Sequence, residues 1–222
     1  MIGTVFAGVL GALPLRSGAR LALGAGIGTW IALAIAMTAS GALAVSPLVL
    51  LLMFMLPLAA IGLAATSSVS RSAMMAIPVP LIVSLNAMRV VGIFMVIAGL
   101  TGSMSGPFPY AAGIGDIITG IFALPVARLA ARNPRDVRVL EWNIFGAIDL
   151  VAAVSLGIVS VNGSPLQLIH AGAGSAAMAT LPWAMIPLVL VPTYLIGHVL
   201  VFAHIRSSAA AGHTTQTRLA QA

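Results

Sequence analysis

The chain has 222 residues, of which 60% are hydrophobic and only 6% charged. A soluble domain carries roughly 25% charged residues, so this composition excludes a water-facing globular surface and makes lipid the solvent. The formal charge of +6 comes from arginine alone, because the chain has no lysine. It has no cysteine either, so disulfides, thiolate metal sites, cysteine nucleophiles and lysine Schiff bases are excluded together.

The first thirteen residues are apolar but too short to span a bilayer. No basic residue precedes them, and Arg16 and Arg20 follow, the reverse of a secretory signal's flanks. Residues 1–20 are therefore expected to form an interfacial N-terminal segment. A spanning helix needs about 20 apolar residues. Six runs meet that length, at Leu21–Val45, Pro47–Thr66, Ile77–Leu100, Phe108–Ala131, Leu140–Val161 and Leu181–His204. Small residues recur four apart within them, as in Gly24 and Gly28, Ala60 and Ala64, or Ala153 and Gly157. Such pairs let helix backbones approach in lipid, as expected for bundle packing. In the sixth run, Pro187 and Pro192 each remove a backbone hydrogen bond, which predicts a kink and freed carbonyls that need partners.

The arginines set the orientation. Arg16, Arg20, Arg71, Arg128, Arg132, Arg135, Arg138, Arg206 and Arg218 all fall on one side of a six-pass chain. The opposite loops, near Ala44–Ser46, Thr101–Pro107 and Asn162–Thr180, contain no Lys or Arg. The positive-inside rule then places both termini in the cytoplasm. No linker and no internal repeat divides the chain. The expected architecture is an all-α, polytopic integral membrane protein: one six-helix transmembrane domain over residues 1–206, then a polar, frayed tail over 207–222. The expected location is a bacterial-type cytoplasmic membrane. Arginines that flank apolar runs point to topology and not to nucleic acid, leaving the lipid bilayer as the first partner.

Arg89 breaks the pattern, because it lies within the third apolar run. A guanidinium at the centre of a membrane helix costs about 2.5–3.5 kcal/mol on insertion scales unless it is paired. Asp116 and Asp149 lie inside the fourth and fifth runs. Counting along the helices puts all three in the middle third of a core about 30 Å thick. Asn86 shares the face of Arg89 three residues away, Gly113 and Gly120 flank Asp116, and Gly146 flanks Asp149. Asn143 adds an amide nearer the cytoplasmic end. If all three charged groups ionise, the centre carries −1. Arginine stays charged, so the expected arrangement is Arg89 paired with Asp116 while Asp149 takes up a proton or cation. The converse assignment of the two aspartates stays open. Glu141 is expected at the interface within reach of Arg135 or Arg138, and the Gly/Pro-rich stretch Thr101–Asp116 is a candidate entrance. Phe108 and Tyr110 suit the membrane interface.

His198 and His204 fall in the last turns of the sixth run and do not share a face, so together they form no metal site. No other run contains a histidine, which argues against haem, and no metal or cofactor is expected. His198 is expected to bond a bundle partner or to serve a proton path. His170 and His213 sit in loops. No nucleophile elbow or His-Glu-x-x-His pattern occurs.

The functional expectation is a small transporter or permease with Arg89, Asp116, Asp149, Asn86, Asn143 and His198 as its substrate- or ion-binding centre. A small solute or a proton would be its cargo. Two other classes compete with it. One is an accessory or scaffold subunit of a membrane complex, or of a homo-oligomer, in which a buried ion pair fixes helix register. The other is an intramembrane enzyme acting on a lipid-soluble substrate through two carboxylates.

Overall fold

The computed structural model describes residue 11 and residues 17–220, leaving aside the side chains of residues 19 and 208–220. All regular structure among the described residues is helical, and six helices are long and apolar enough to cross a membrane. The apolar segment 1–10, Arg16, and the side chains of His213 and Arg218 lie outside what is described.

Helix α1 (Ser17–Ala39) stops short of the sequence expectation. Gly41 adopts a left-handed φ of 75°, and a separate turn, α2 (Ala42–Val45), follows it. Ser46 then accepts the Leu48 N–H at 3.3 Å, and Pro47 opens α3 (Pro47–Ala64) at a position where its missing N–H costs nothing. A short exposed helix, α4 (Ser68–Met75), carries Arg71 where only a loop was expected. The third span is composite: α5 (Val79–Leu85), a 3₁₀ segment over Asn86–Gly92, and α6 (Ile93–Leu100). The fourth and fifth spans are α7 (Phe108–Arg132) and α8 (Val137–Val159).

Asp136 caps α8, accepting the Arg138 N–H at 3.0 Å and its guanidinium at 2.7 Å. The Arg138 hydrogen bonds lower the Asp136 pKa to about 2. Because the folded value lies below the ordinary one, the cap is intact above about pH 4 and is lost as pH falls toward 2. Arg138 thus binds Asp136, while Glu141 is exposed and near enough to act on Arg138 electrostatically, as the sequence suggested.

The sixth span opens as a π-helix over Ile186–Leu190 and continues as α9 (Val191–Ala220). The proline arithmetic explains its start. Pro192 has no N–H to give to the Leu188 carbonyl four residues earlier, and the Trp30 indole N–H fills the vacancy at 2.8 Å. Likewise the Trp183 carbonyl, deprived by Pro187, accepts the Ile186 N–H at 2.9 Å. Helix-breaking residues thus dock α1 onto the sixth span. Replacing Trp30 by Phe should lower stability by about 1–2 kcal/mol, by leaving a buried carbonyl unpaired in an apolar setting. Unfolding in detergent at an unchanged temperature would refute that account. Pro182 sits in the turn before this span, not in its first helical turn, and α9 runs on through the stretch expected to fray.

Spans three to six form the core, while α1 and α3 pack outside against the sixth span and remain mostly exposed. Helix α7 is central, flanked by the third span and by α8. At the end free of Lys and Arg, the loops interlock. Ser105 accepts the Gly174 N–H at 2.9 Å and donates to the Ala171 carbonyl, while Ser175 donates to the Gly157 carbonyl at 2.6 Å. Gly174 is required there: its φ is 57°, and a Cβ would collide with the Ser160 carbonyl. The stretch proposed as an entrance is therefore tied down at its loop. Phe108 is buried against Gly157. Below it, Met95, Ala98, Met104, Phe108, Ala112 and Met178 form an apolar plug. A second plug around Val83, Ala123, Val139 and Val201 closes the arginine-rich end. The polar centre lies between the two.

Candidate functional site

The site begins with the backbone of the third span. Its 3₁₀ segment is seven residues long, unusual for a helix that prefers three or four. Three residues per turn stack Asn86 and Arg89 on one edge. The same segment meets α7 backbone to backbone. A Cβ on Gly92 would fall 2.6 Å from Asp116 Cβ, one on Gly113 2.7 Å from the Gly92 carbonyl, and one on Gly120 2.6 Å from the Val90 nitrogen. Glycine at these crossings removes the side-chain layer that would otherwise separate the helices. The guanidinium therefore leaves the third span directly among α7, α8 and α9.

Arg89 is 1% exposed. Its Nε donates to Asp116 Oδ1 at 2.6 Å, and its Nη2 donates to Asp149 Oδ2. Nη1 lies 3.3 Å from the Gly146 carbonyl and 3.3 Å from His198 Nε2. The guanidinium carbon stands 5.6 Å from the centre of the Tyr194 ring. One cation thus binds both carboxylates, each on a different helix. The sequence expectation of one paired and one separate aspartate is corrected on this point.

A guanidinium only donates, so His198 Nε2 must accept, which puts the imidazole proton on Nδ1. That atom faces Asn143 Oδ1 at 2.8 Å, and Asn143 Nδ2 donates to the His198 carbonyl at 3.1 Å. Every contact fits one tautomer. The Trp142 ring sits 5.5 Å from the imidazole and gives its N–H to the Thr119 carbonyl at 3.0 Å. His198, expected in the last turns of the sixth run and as a member of the binding centre, is 1% exposed and hydrogen-bonded within it.

Five of the six residues proposed from sequence, Arg89, Asp116, Asp149, Asn143 and His198, join one hydrogen-bonded network. Asn86 is buried beside them but gives its amide to the Ile82 carbonyl at 3.1 Å, and its Oδ1 has no partner among the described residues. Four further residues belong to the site. Gly115 leaves room for the Asp149 carboxylate, since a Cβ there would overlap it. Gly92 does the same for Asp116. Tyr194 precedes His198 by four residues, the same-face spacing that could have revealed it. Gly146 accommodates the imidazole, 2.6 Å from a virtual Cβ.

A small opening lies beside this network. A cavity of about 20 Å³ borders Arg89, Asp116 and Tyr194, with Val91, Leu150 and Leu190 completing its wall. That volume holds about one water molecule. Among the described residues, no three His, Cys, Asp or Glu side chains are grouped to hold a metal ion.

Fold and site together define a bundle with six helices long and apolar enough to span a membrane, and an ionic centre between two buried apolar clusters. The chain belongs to the family described as "Domain of unknown function (DUF8737)", whose model matches residues 42–206. The match contains spans two to six and every residue of the network, and leaves α1 outside. Neither the curated proteins nor the solved structures contain a match to the chain.

Proposed function

We propose that this protein is a small proton-coupled permease of a bacterial cytoplasmic membrane, with both termini in the cytoplasm and its binding centre in an occluded state. Nine of ten arginines on one side of the spans support the orientation. The observation that carries the reading is one buried guanidinium holding two carboxylates from two other apolar helices. Intramembrane ionisable groups are costly, and a cluster whose charges do not cancel binds a compensating charge. Here one positive and two negative groups leave −1, so the cluster binds one proton or equivalent cation when neutral. Apolar plugs on both sides support an alternating-access role, since moving either one would expose the same centre to one side only.

The accessory-subunit reading draws on one observation: the cavity is no larger than a water molecule. The enzyme reading loses support, because the two carboxylates meet an arginine and not a shared proton.

The test is uptake. The full chain, reconstituted in vesicles with an outward-alkaline or outward-acid pH gradient, is offered a panel of small labelled solutes. Gradient-driven uptake of at least one solute is expected from the native chain and should be absent from Asp149→Asn. That variant keeps a neutral Arg89–Asp116 pair and so should fold. Undiminished uptake by Asp149→Asn would overturn the proton-coupled reading.

A further inference from the structure

The cavity is asymmetric in its surroundings. In their arginine-rich halves the third and sixth spans touch, with a Gly197 Cβ position only 3.2 Å from Ile82. In their other halves the cavity lies between them, bounded by Val91 on one side and Leu190 on the other. Val91 is 42% exposed on the flank of the bundle. With both bundle ends plugged, this flank is the short way from the ionic centre to the outside, and it faces where acyl chains would lie.

What reaches the cavity is chemically specific. Asp116 borders it and its side chain is 19% exposed, whereas the Asp149 carboxylate is packed over Gly115 and does not line it. Asp116 spends one oxygen on Arg89 Nε, and its Oδ2 has no partner among the described residues. The remaining wall is the Arg89 guanidinium, offset by Asp116 and Asp149, with Gly92, the Tyr194 ring and aliphatic side chains. A free carboxylate oxygen in a net-negative cluster, beside an aromatic ring and an apolar lining, suits an ammonium group on a hydrocarbon chain. A bare metal cation would need several more oxygen ligands than this wall provides.

Charge conservation makes the same selection. The groups facing Asp116 are Arg89 from the third span, Asp149 from α8, and Tyr194 and the neutral His198 from α9. Their sum is −1, which one proton or one monovalent cation cancels. An anion would need two accompanying protons to reach neutrality.

We propose that the cavity beside Asp116 is a site for the ammonium headgroup of a lipophilic amine, which enters sideways between spans three and six and competes with a proton for the same charge. The site rests on the permease reading for its purpose, but not for its existence. Binding at equilibrium and flux across a membrane are separate measurements.

The experiment uses the full chain in detergent, titrated with n-octylammonium chloride and followed by thermal shift and by calorimetry. n-Octanol, tetramethylammonium chloride and sodium chloride serve as comparators. Saturable binding of the amine is expected near pH 8, weakening by about tenfold or more toward pH 5 as protons compete. Octanol and sodium should give no saturable signal. Asp116→Asn should weaken binding by about tenfold or more, and Tyr194→Leu by a smaller factor. Equal binding of octanol, absence of proton competition, or full binding by a folded Asp116→Asn chain would each overturn the site. If the native chain binds the amine but moves no solute, the site stands and the permease reading falls. If it moves solutes but binds no amine, the reverse holds.

Discussion

Substituting Arg89 by Met should destabilise the protein by about 3–5 kcal/mol, the cost of leaving buried charge without its partner. The reason is geometric as well as electrostatic. The guanidinium is the common partner of Asp116 and Asp149, so its loss strands two carboxylates that now repel each other. It also frees the Gly146 carbonyl and His198 Nε2. Lysine should not rescue it, since a single ammonium cannot serve partners on three helices in fixed directions. The triple change Arg89→Met, Asp116→Asn, Asp149→Asn removes every charge and should recover most of the lost stability. Thermal unfolding in detergent measures all three. If the single and triple variants melt together, the ion cluster contributes packing and nothing more.

The second large effect is expected from the smallest substitution. Gly115→Ala adds one carbon where the Asp149 carboxylate now lies. That side chain cannot retreat without releasing Arg89, so overpacking of about 1–3 kcal/mol is compounded by loss of an ion pair. Gly102→Ala would be strained because of its left-handed φ of 77°; Gly62→Ala, with nothing within 4 Å of its Cβ position, is the appropriate control and should be nearly neutral. Gly146→Ala should act like Gly115→Ala, by displacing His198. Pairing Gly115→Ala with Asp149→Ala should largely remove the penalty of the glycine change, because the colliding carboxylate is then absent. A Gly115→Ala chain as stable as the Gly62→Ala control would disprove the proposed fit.

Much of the bundle was legible before any coordinates. Runs of about 20 apolar residues can do little else in lipid than form helices. Counting residues at 1.5 Å each put Arg89, Asp116 and Asp149 at a common level along their helices, and the three side chains do meet. The composite third span was not legible, because a 3₁₀ segment in an apolar run has no compositional mark. It depends on the close approach at Gly92, Gly113 and Gly120. The bounds of the sixth span were also only partly legible: the apolar run was read as Leu181–His204, whereas the span covers Ile186–Ser207 and its helix continues beyond.

Residue order alone thus specified which segments are long and apolar enough to cross a membrane and which of them carry charge, because those properties are local and follow from apolar length and composition. It also anticipated that Pro192 would leave a carbonyl in need of a donor. Whether Arg89 meets one aspartate or two, which tautomer His198 adopts, and that Trp30 supplies the missing donor depend on how helices rotate about their axes and cross. Those angles are set by contacts between residues distant in the chain, down to the absence of a single Cβ at Gly115.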